Sequence, residues 1–172
     1  MKSDPFSLYH FNTRSLQKNF DLLTEFIHSL HSKPKIIGIT ETKLNDNTIA
    51  NVDITGYKEP FHTDPVTSAG GAAIYVSESL KALPRKDIKF GMDLVESCWV
   101  EIEGKNNTKI MIGCIYRHPN ANLPNFTTEL QEILLKLNEQ ILRLCPPGNV
   151  VDIIISSTTN YDCFYCYGFK FD

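Results

Sequence analysis

The run Lys35-Ile36-Ile37-Gly38-Ile39-Thr40 constrains this chain most. It is apolar at consecutive positions, follows Pro34, and ends at a carboxylate, Glu41. A strand with one wet face alternates polar and apolar residues, whereas an unbroken apolar run of strand length is covered on both faces. Such a strand needs other elements stacked above and below it. The chain must therefore build a layered α/β body, and its 172 residues suffice for one domain with a real core.

The flanking segments supply those layers. Phe6 to Phe11 is short and aromatic-rich and reads as a strand. From Ser15 to Leu30, the residues Leu16, Phe20, Leu23, Ile27 and Leu30 recur at three- and four-residue spacing, one apolar stripe of a helix. Positions 45–65 are polar, carry Gly56 and Pro60, and read as a long surface connection. Ala72 to Val76 is a strand entered through Gly70-Gly71. Ser97 to Ile102 and Lys109 to Tyr116 read as two strands joined by a hairpin turn at Gly104 to Asn107. Phe126, Leu130, Ile133, Leu134, Leu137, Ile141 and Leu144 mark a second amphipathic helix, with Asn125 or Thr127 as its cap. Cys145-Pro146-Pro147-Gly148 stops that helix, and Val150 to Ile155 is a last buried strand. Crossover helices mixed with meander-like pairing point to an α/β layered sandwich.

Composition narrows the function classes. A net charge of -3 and a pI near 5.9 give no basic field, which argues against a stand-alone nucleic-acid-binding module. It argues less against a nuclease, where a metal and a few local cations handle phosphate. The five cysteines, Cys98, Cys114, Cys145, Cys163 and Cys166, are scattered and odd in number, and read as reduced thiols. Cys163-x-x-Cys166 has metal-ligand spacing but lacks a second pair. The first residues carry no apolar signal core, and no run approaches membrane-spanning length. The expectation is a soluble intracellular protein with no membrane partner.

Two polar residues stand out by position. Asn12 follows the first strand and Glu41 follows the second. Groups at the carboxyl ends of neighbouring buried strands converge on one rim, where open α/β sheets place their sites. A carboxylate beside an amide there suits a hard cation such as Mg²⁺. The plainer alternative is that Asn12 caps the following helix and Glu41 is a solvated loop acid. Tyr116 at another strand end can equally be an aromatic lid on the core. Among the histidines, His28 and His31 end the first helix, His62 lies in a loop and His10 in a strand. Only His118 sits near the candidate rim.

Five sequence words stand in order: Phe11-Asn12-Thr13-Arg14-Ser15-Leu16, Ile39-Thr40-Glu41-Thr42-Lys43-Leu44, Gly56-Tyr57, Gly70 to Val76, and Ile115-Tyr116-Arg117-His118-Pro119-Asn120. Together they resemble the endonuclease/exonuclease/phosphatase superfamily, and more closely the apurinic-type endonuclease domain encoded by non-LTR retrotransposons. The resemblance runs from about Leu8 to about Leu144. It implies a four-layered α/β-sandwich of the DNase I-like type, here incomplete, with mixed sheets flanked by helices. It also implies Mg²⁺ as cofactor, DNA gripped through its backbone, and phosphodiester hydrolysis. By matching motifs, Asn12 would help hold metal and phosphate, Glu41 would coordinate the magnesium, and Tyr116 would contact the scissile phosphate.

The chain departs from that pattern after the second helix. The family's Gly-Asp-x-Asn word is missing, and no Ser-Asp-His word supplies a catalytic histidine. In the nearest candidate, Ile153 to Asn160, Asn160 matches the asparagine while Thr158 stands where the aspartate should be. Threonine carries no charge for a cation and is a poor general base. Alternatively, the tail is unrelated sequence. The division expected is an N-terminal portion of the nuclease domain over 1–144 and a divergent tail over 145–172. On this reading the chain is a catalytically impaired remnant. An active nicking enzyme with substituted groups and a non-catalytic scaffold on the same fold are the alternatives. A sheet left without its partner would expose apolar surface and unpaired edges, so self-association is expected.

Overall fold

The computed structural model describes residues 6–45, 47–66, 68–104, 109–144, 152–159, 162–163 and 167–168. Strand β1 (Leu8–Asn12) leads through helix α1 (Leu16–Ser29) to β2 (Ile36–Thr40), and the two strands pair in parallel from Leu8↔Ile36 to Asn12↔Thr40. β4 (Ala72–Val76) pairs antiparallel to β2, and β3 (Phe61–Thr63) closes the far side of β4. The order β1-β2-β4-β3 leaves β2 and β4 central, and all residues of both are buried. The unbroken apolar run at Ile36–Thr40 is thus covered on both faces, as its pattern requires.

The second sheet starts with β5 (Lys81–Pro84), which pairs with β6 (Val95–Glu103). β6 forms an antiparallel hairpin with β7 (Lys109–Arg117), in register from Val95↔Arg117 to Glu103↔Lys109. Helix α2 (Leu123–Leu144) then crosses to β8 (Asp152–Thr159), which lies parallel to β7. Two short strands, β9 (Asp162–Cys163) and β10 (Tyr167–Gly168), pair antiparallel with β8.

Three apolar clusters define the layers. Leu16, Leu23 and Ile27 of α1 pack on Ile37, Ile39, Ala73 and Tyr75 of the first sheet. Phe126, Ile133 and Leu137 of α2 pack on Val95, Trp99, Met111 and Ile115 of the second. Between the sheets, Ile36, Ala72, Ile74 and Val76 meet Cys98, Val100, Ile102, Ile112 and Cys114. The result is four layers, helix, sheet, sheet, helix, the architecture implied by the resemblance.

Several expectations change. Neither sheet lacks a partner, because the inner faces close on one another. The 45–65 segment is not a surface connection: Val52, Ile54 and Tyr57 are buried in the first core, and Tyr57 Oη donates to Pro34 O at 2.6 Å. His62 lies in β3, not in a loop. α2 begins at Leu123, earlier than expected, and Asn122 Oδ1 accepts from Asn125 N at 2.9 Å, so Asn122 caps it instead of Asn125 or Thr127. β5 was not foreseen. The expected turn at Gly104 to Asn107 and the stop at Cys145 to Gly148 lie wholly or mostly outside the described residues.

Candidate functional site

The carboxyl ends of β1, β2 and β7 converge on one rim with the beginnings of β4 and β6, because the latter strands run antiparallel to their neighbours. Backbone hydrogen bonds tie the rim loops together. Thr13 N donates to Thr40 O at 3.1 Å, Leu16 N to Thr42 O at 2.9 Å, and Lys43 N to Gly70 O at 3.0 Å. Three non-glycine residues in these loops, Arg14, Glu41 and Lys43, hold left-handed φ values of 53°, 54° and 55°. Such conformations cost energy and persist where the surroundings over-determine them, often at functional sites.

Asn12 and Glu41 meet at this rim. Asn12 Nδ2 donates to Glu41 Oε1 at 2.8 Å, and Asn12 Oδ1 accepts from Arg14 N at 3.2 Å. Asn12 therefore fixes the Glu41 carboxylate, while Ser15 occupies the N-cap position of α1. The other Glu41 oxygen has no hydrogen-bond partner among the described residues, and the side chain is only half-buried. A half-exposed carboxylate held by an amide is suited to one or two inner-sphere contacts to a hydrated Mg²⁺. Among the described residues, no three His, Cys, Asp or Glu side chains converge as a metal-holding group. A cation here would have to complete its shell with water and substrate oxygens.

Tyr116 closes the other side of the rim. It is buried, and its phenol titrates above the ordinary tyrosine range, first through burial, then through the negative charges of Glu41 and Glu96. The shift keeps the phenol protonated and able to donate to an oxyanion. The register of β8 sets Thr158 beside Tyr116. Asn160 lies outside the described residues. His118 stands edge-on to Tyr116 with ring centroids 6.3 Å apart, and its Nδ1 accepts from Asn120 N at 3.4 Å. Cys163 is in β9, whereas Cys166 lies outside the described residues.

Glu96 is the residue that sequence reasoning missed. It is only 6% exposed and pairs in register with Tyr116. Its Oε1 accepts from Val66 N at 2.7 Å, and its Oε2 accepts from Gly71 N. A side chain at Gly70 would collide with this carboxylate, and one at Gly71, where φ is +99°, with Thr42 Oγ1. The Gly70-Gly71 pair is thus a seat for Glu96 and for the Glu41 loop.

The fold is shared with solved structures. Residues across 88% of the chain superpose on 58% of the endonuclease domain of TRAS1, a telomere-specific non-LTR retrotransposon, with a TM-score of 0.54 and 13% identity. The human nocturnin catalytic domain matches over 89% of this chain and 63% of its own length, with a TM-score of 0.60 and 14% identity. The Xenopus laevis APE2 catalytic domain matches over 90% and 58%, with a TM-score of 0.51 and 15% identity. The chain has the endonuclease/exonuclease/phosphatase fold. It spans 58–63% of the length of these neighbours. No protein-family model and no curated protein matches it in sequence. Identities this low establish the DNase I-like fold alone. No helix among the described residues is long and apolar enough to cross a membrane.

Proposed function

We propose that the chain is the metal- and phosphate-binding portion of a Mg²⁺-dependent DNA endonuclease domain of the non-LTR retrotransposon type, with impaired catalysis. The observation that carries this reading is the Asn12–Glu41 hydrogen bond at 2.8 Å, in a rim shared with the protonated phenol of Tyr116. Glu41 would hold the cation, and Asn12 orients Glu41. Tyr116 donates to a phosphate oxygen as charge develops there. When bound, Mg²⁺ supplies Lewis-acid polarisation of the phosphate. The likeness to the TRAS1 endonuclease domain supports DNA as the substrate class.

The reading of impaired catalysis is supported by the residue type in register with Tyr116. The register of β8 supports the alignment in which Thr158 takes the aspartate's place, with Asn160 two residues on. Threonine neither orients a protonated water nor binds a cation as a carboxylate does. Groups that act as one catalytic unit fail together. We place the division between the nuclease portion and its divergent or unrelated tail at 144/145.

The test is supercoiled plasmid with Mg²⁺, alongside Glu41→Ala protein and a chelator control. The expected result is no Glu41-dependent nicking, together with Mg²⁺-induced amide shifts confined to the Asn12 and Glu41 loops and lost in Glu41→Ala. Nicking abolished by both controls would instead make the chain a working nuclease. Amide shifts unaffected by Glu41→Ala would remove the metal assignment.

A further inference from the structure

Both oxygens of the buried Glu96 carboxylate are taken by backbone N–H groups, Val66 N at 2.7 Å and Gly71 N. Glu96 thereby clamps the segment that enters β4. Burying a carboxylate is costly, and among the described residues no ion pair joins this one to a cation. An apolar side chain would fill the same space without that cost. What the carboxylate adds is the fixed placement of its two donors.

The clamped segment in turn holds the Glu41 loop. Gly71 O accepts from Thr42 N at 3.3 Å, and Gly70 O accepts from Lys43 N at 3.0 Å. Thr42 is buried, and its own O accepts from Leu16 N at 2.9 Å, which joins the loop to the segment after Asn12. On the other side of Glu41, Thr40 O accepts from Thr13 N at 3.1 Å. Glu41 is thus bracketed by bonded neighbours and held at φ 54°, a left-handed conformation that a non-glycine residue keeps only under such restraint. In that conformation its Oε1 meets Asn12 Nδ2 at 2.8 Å. The contacts run without a gap from Glu96 through Gly71 and Gly70 to Thr42 and Lys43, the residues that follow Glu41. Only glycines fit this path, because a Cβ on Gly70 would overlap the Glu96 carboxylate and one on Gly71 would overlap Thr42 Oγ1.

We propose that Glu96 is a positioning residue for the Glu41 site: through the Gly70-Gly71 and Thr42-Lys43 backbones it sets the placement, and with it the cation affinity, of the Glu41 carboxylate. The inference rests on the reading of Glu41 as the cation-holding residue. With the clamp open, Thr42 N and Lys43 N lose their fixed acceptors, Glu41 relaxes toward an ordinary φ, and its carboxylate leaves Asn12. A cation then has to order the loop as it binds, which weakens binding.

Two measurements on the ¹⁵N-labelled full chain test this, each on the parent and on the Glu96→Ala, Glu96→Gln and Glu41→Ala proteins. The first, without metal, follows the side-chain NH₂ resonances of Asn12. Glu41→Ala is expected to move them by removing their acceptor, Glu96→Ala to move them the same way, and Glu96→Gln to fall between parent and alanine. The second titrates Mg²⁺ alone and follows the backbone amides of Thr13 and Thr42. Glu96→Ala is expected to bind about tenfold more weakly than the parent, the low end of what losing an outer partner of a metal ligand costs, with Glu96→Gln again between. Should Glu96→Ala fail to fold, Glu96→Gln carries both measurements. Asn12 resonances that Glu41→Ala moves and the folded Glu96 variants leave in place would overturn the inference, as would parent-like Mg²⁺ affinity in those variants. Mg²⁺ binding unchanged by Glu41→Ala would instead remove the metal reading and the cation half of the proposal, leaving the Asn12 resonances to decide the placement of the carboxylate.

Discussion

Replacing Glu96 by alanine removes a carboxylate that accepts Val66 N–H at 2.7 Å and also Gly71 N–H. Hydrogen bonds to a charged acceptor contribute roughly 1.5–3 kcal/mol each. The two donors are not equivalent. Val66 is 64% exposed, so water can reach its amide once the side chain is gone. Gly71 N–H is buried beneath the Glu41 loop, where Thr42 N in turn donates to Gly71 O at 3.3 Å. That donor stays unsatisfied, and the expected loss is ~2–4 kcal/mol, a large part of the ~5–15 kcal/mol of an ordinary domain. Glu96→Gln keeps one acceptor oxygen and turns an NH₂ toward the other donor, so it should fall between parent and alanine. Urea unfolding at constant slope reads both losses. Hydrogen exchange at Gly71 should show protection lost in the alanine variant before the central strands open. An alanine variant within ~0.5 kcal/mol of the parent, with Gly71 still protected, would refute the clamp.

Gly71→Ala should cost at least ~2 kcal/mol, because φ is +99° and the new methyl meets Thr42 Oγ1; equilibrium unfolding measures it. Burial lowers the His10 pKa to about 4, so the folded state resists the proton that the unfolded chain accepts from its ordinary value downward. Stability from this group is fully present above the unfolded pKa and is lost as pH falls, by ~2–3 kcal/mol by pH 4. Urea midpoints at several pH values should show that slope in the parent and a flatter one in His10→Gln. Self-association is expected through β1, an edge strand among the described residues, whose exposed Tyr9 lies beside Phe11, which in turn meets the exposed Phe26. Sedimentation should report concentration-dependent mass that Tyr9→Lys with Phe26→Glu suppresses; a parent monomeric at every concentration would remove the expectation.

The elements legible in the sequence are those whose pattern is set locally. The stripe of α1 places Leu16, Leu23 and Ile27 on one face, and the apolar runs of β2 and β4 leave no wet side. Val52, Ile54 and Tyr57 were illegible because they are scattered among polar residues, and only tertiary partners bury them. Tyr57 finds Pro34 O, and Tyr75 Oη finds Val52 O at 2.6 Å, so backbone acceptors far along the chain decide the fate of that segment. β5 escaped for the opposite reason. Its residues are mostly exposed and it ends in Pro84, so it is a strand only because the edge of β6 is beside it.

At the candidate site, Asn12 and Glu41 could be picked out because each marks the end of a strand, where side chains of neighbouring strands meet. Glu96 sits at the start of a strand, and a charged residue there reads as solvated. Yet a signal was present in the alternation of β6. Ile102, Val100 and Cys98 face the layer between the sheets, and Glu96 continues that face by the same period of two. A carboxylate on the inner face, at the mouth of the sandwich, must either be satisfied there or force the strand to slip. Among the described residues it has no cationic partner, and two loop N–H groups satisfy it instead, which requires a loop able to approach without side chains. Gly70-Gly71 is that loop, read from the sequence only as the entry to β4. Joining the two observations, an inward carboxylate and a nearby glycine pair at the same rim, would have located the clamp before any coordinates were known.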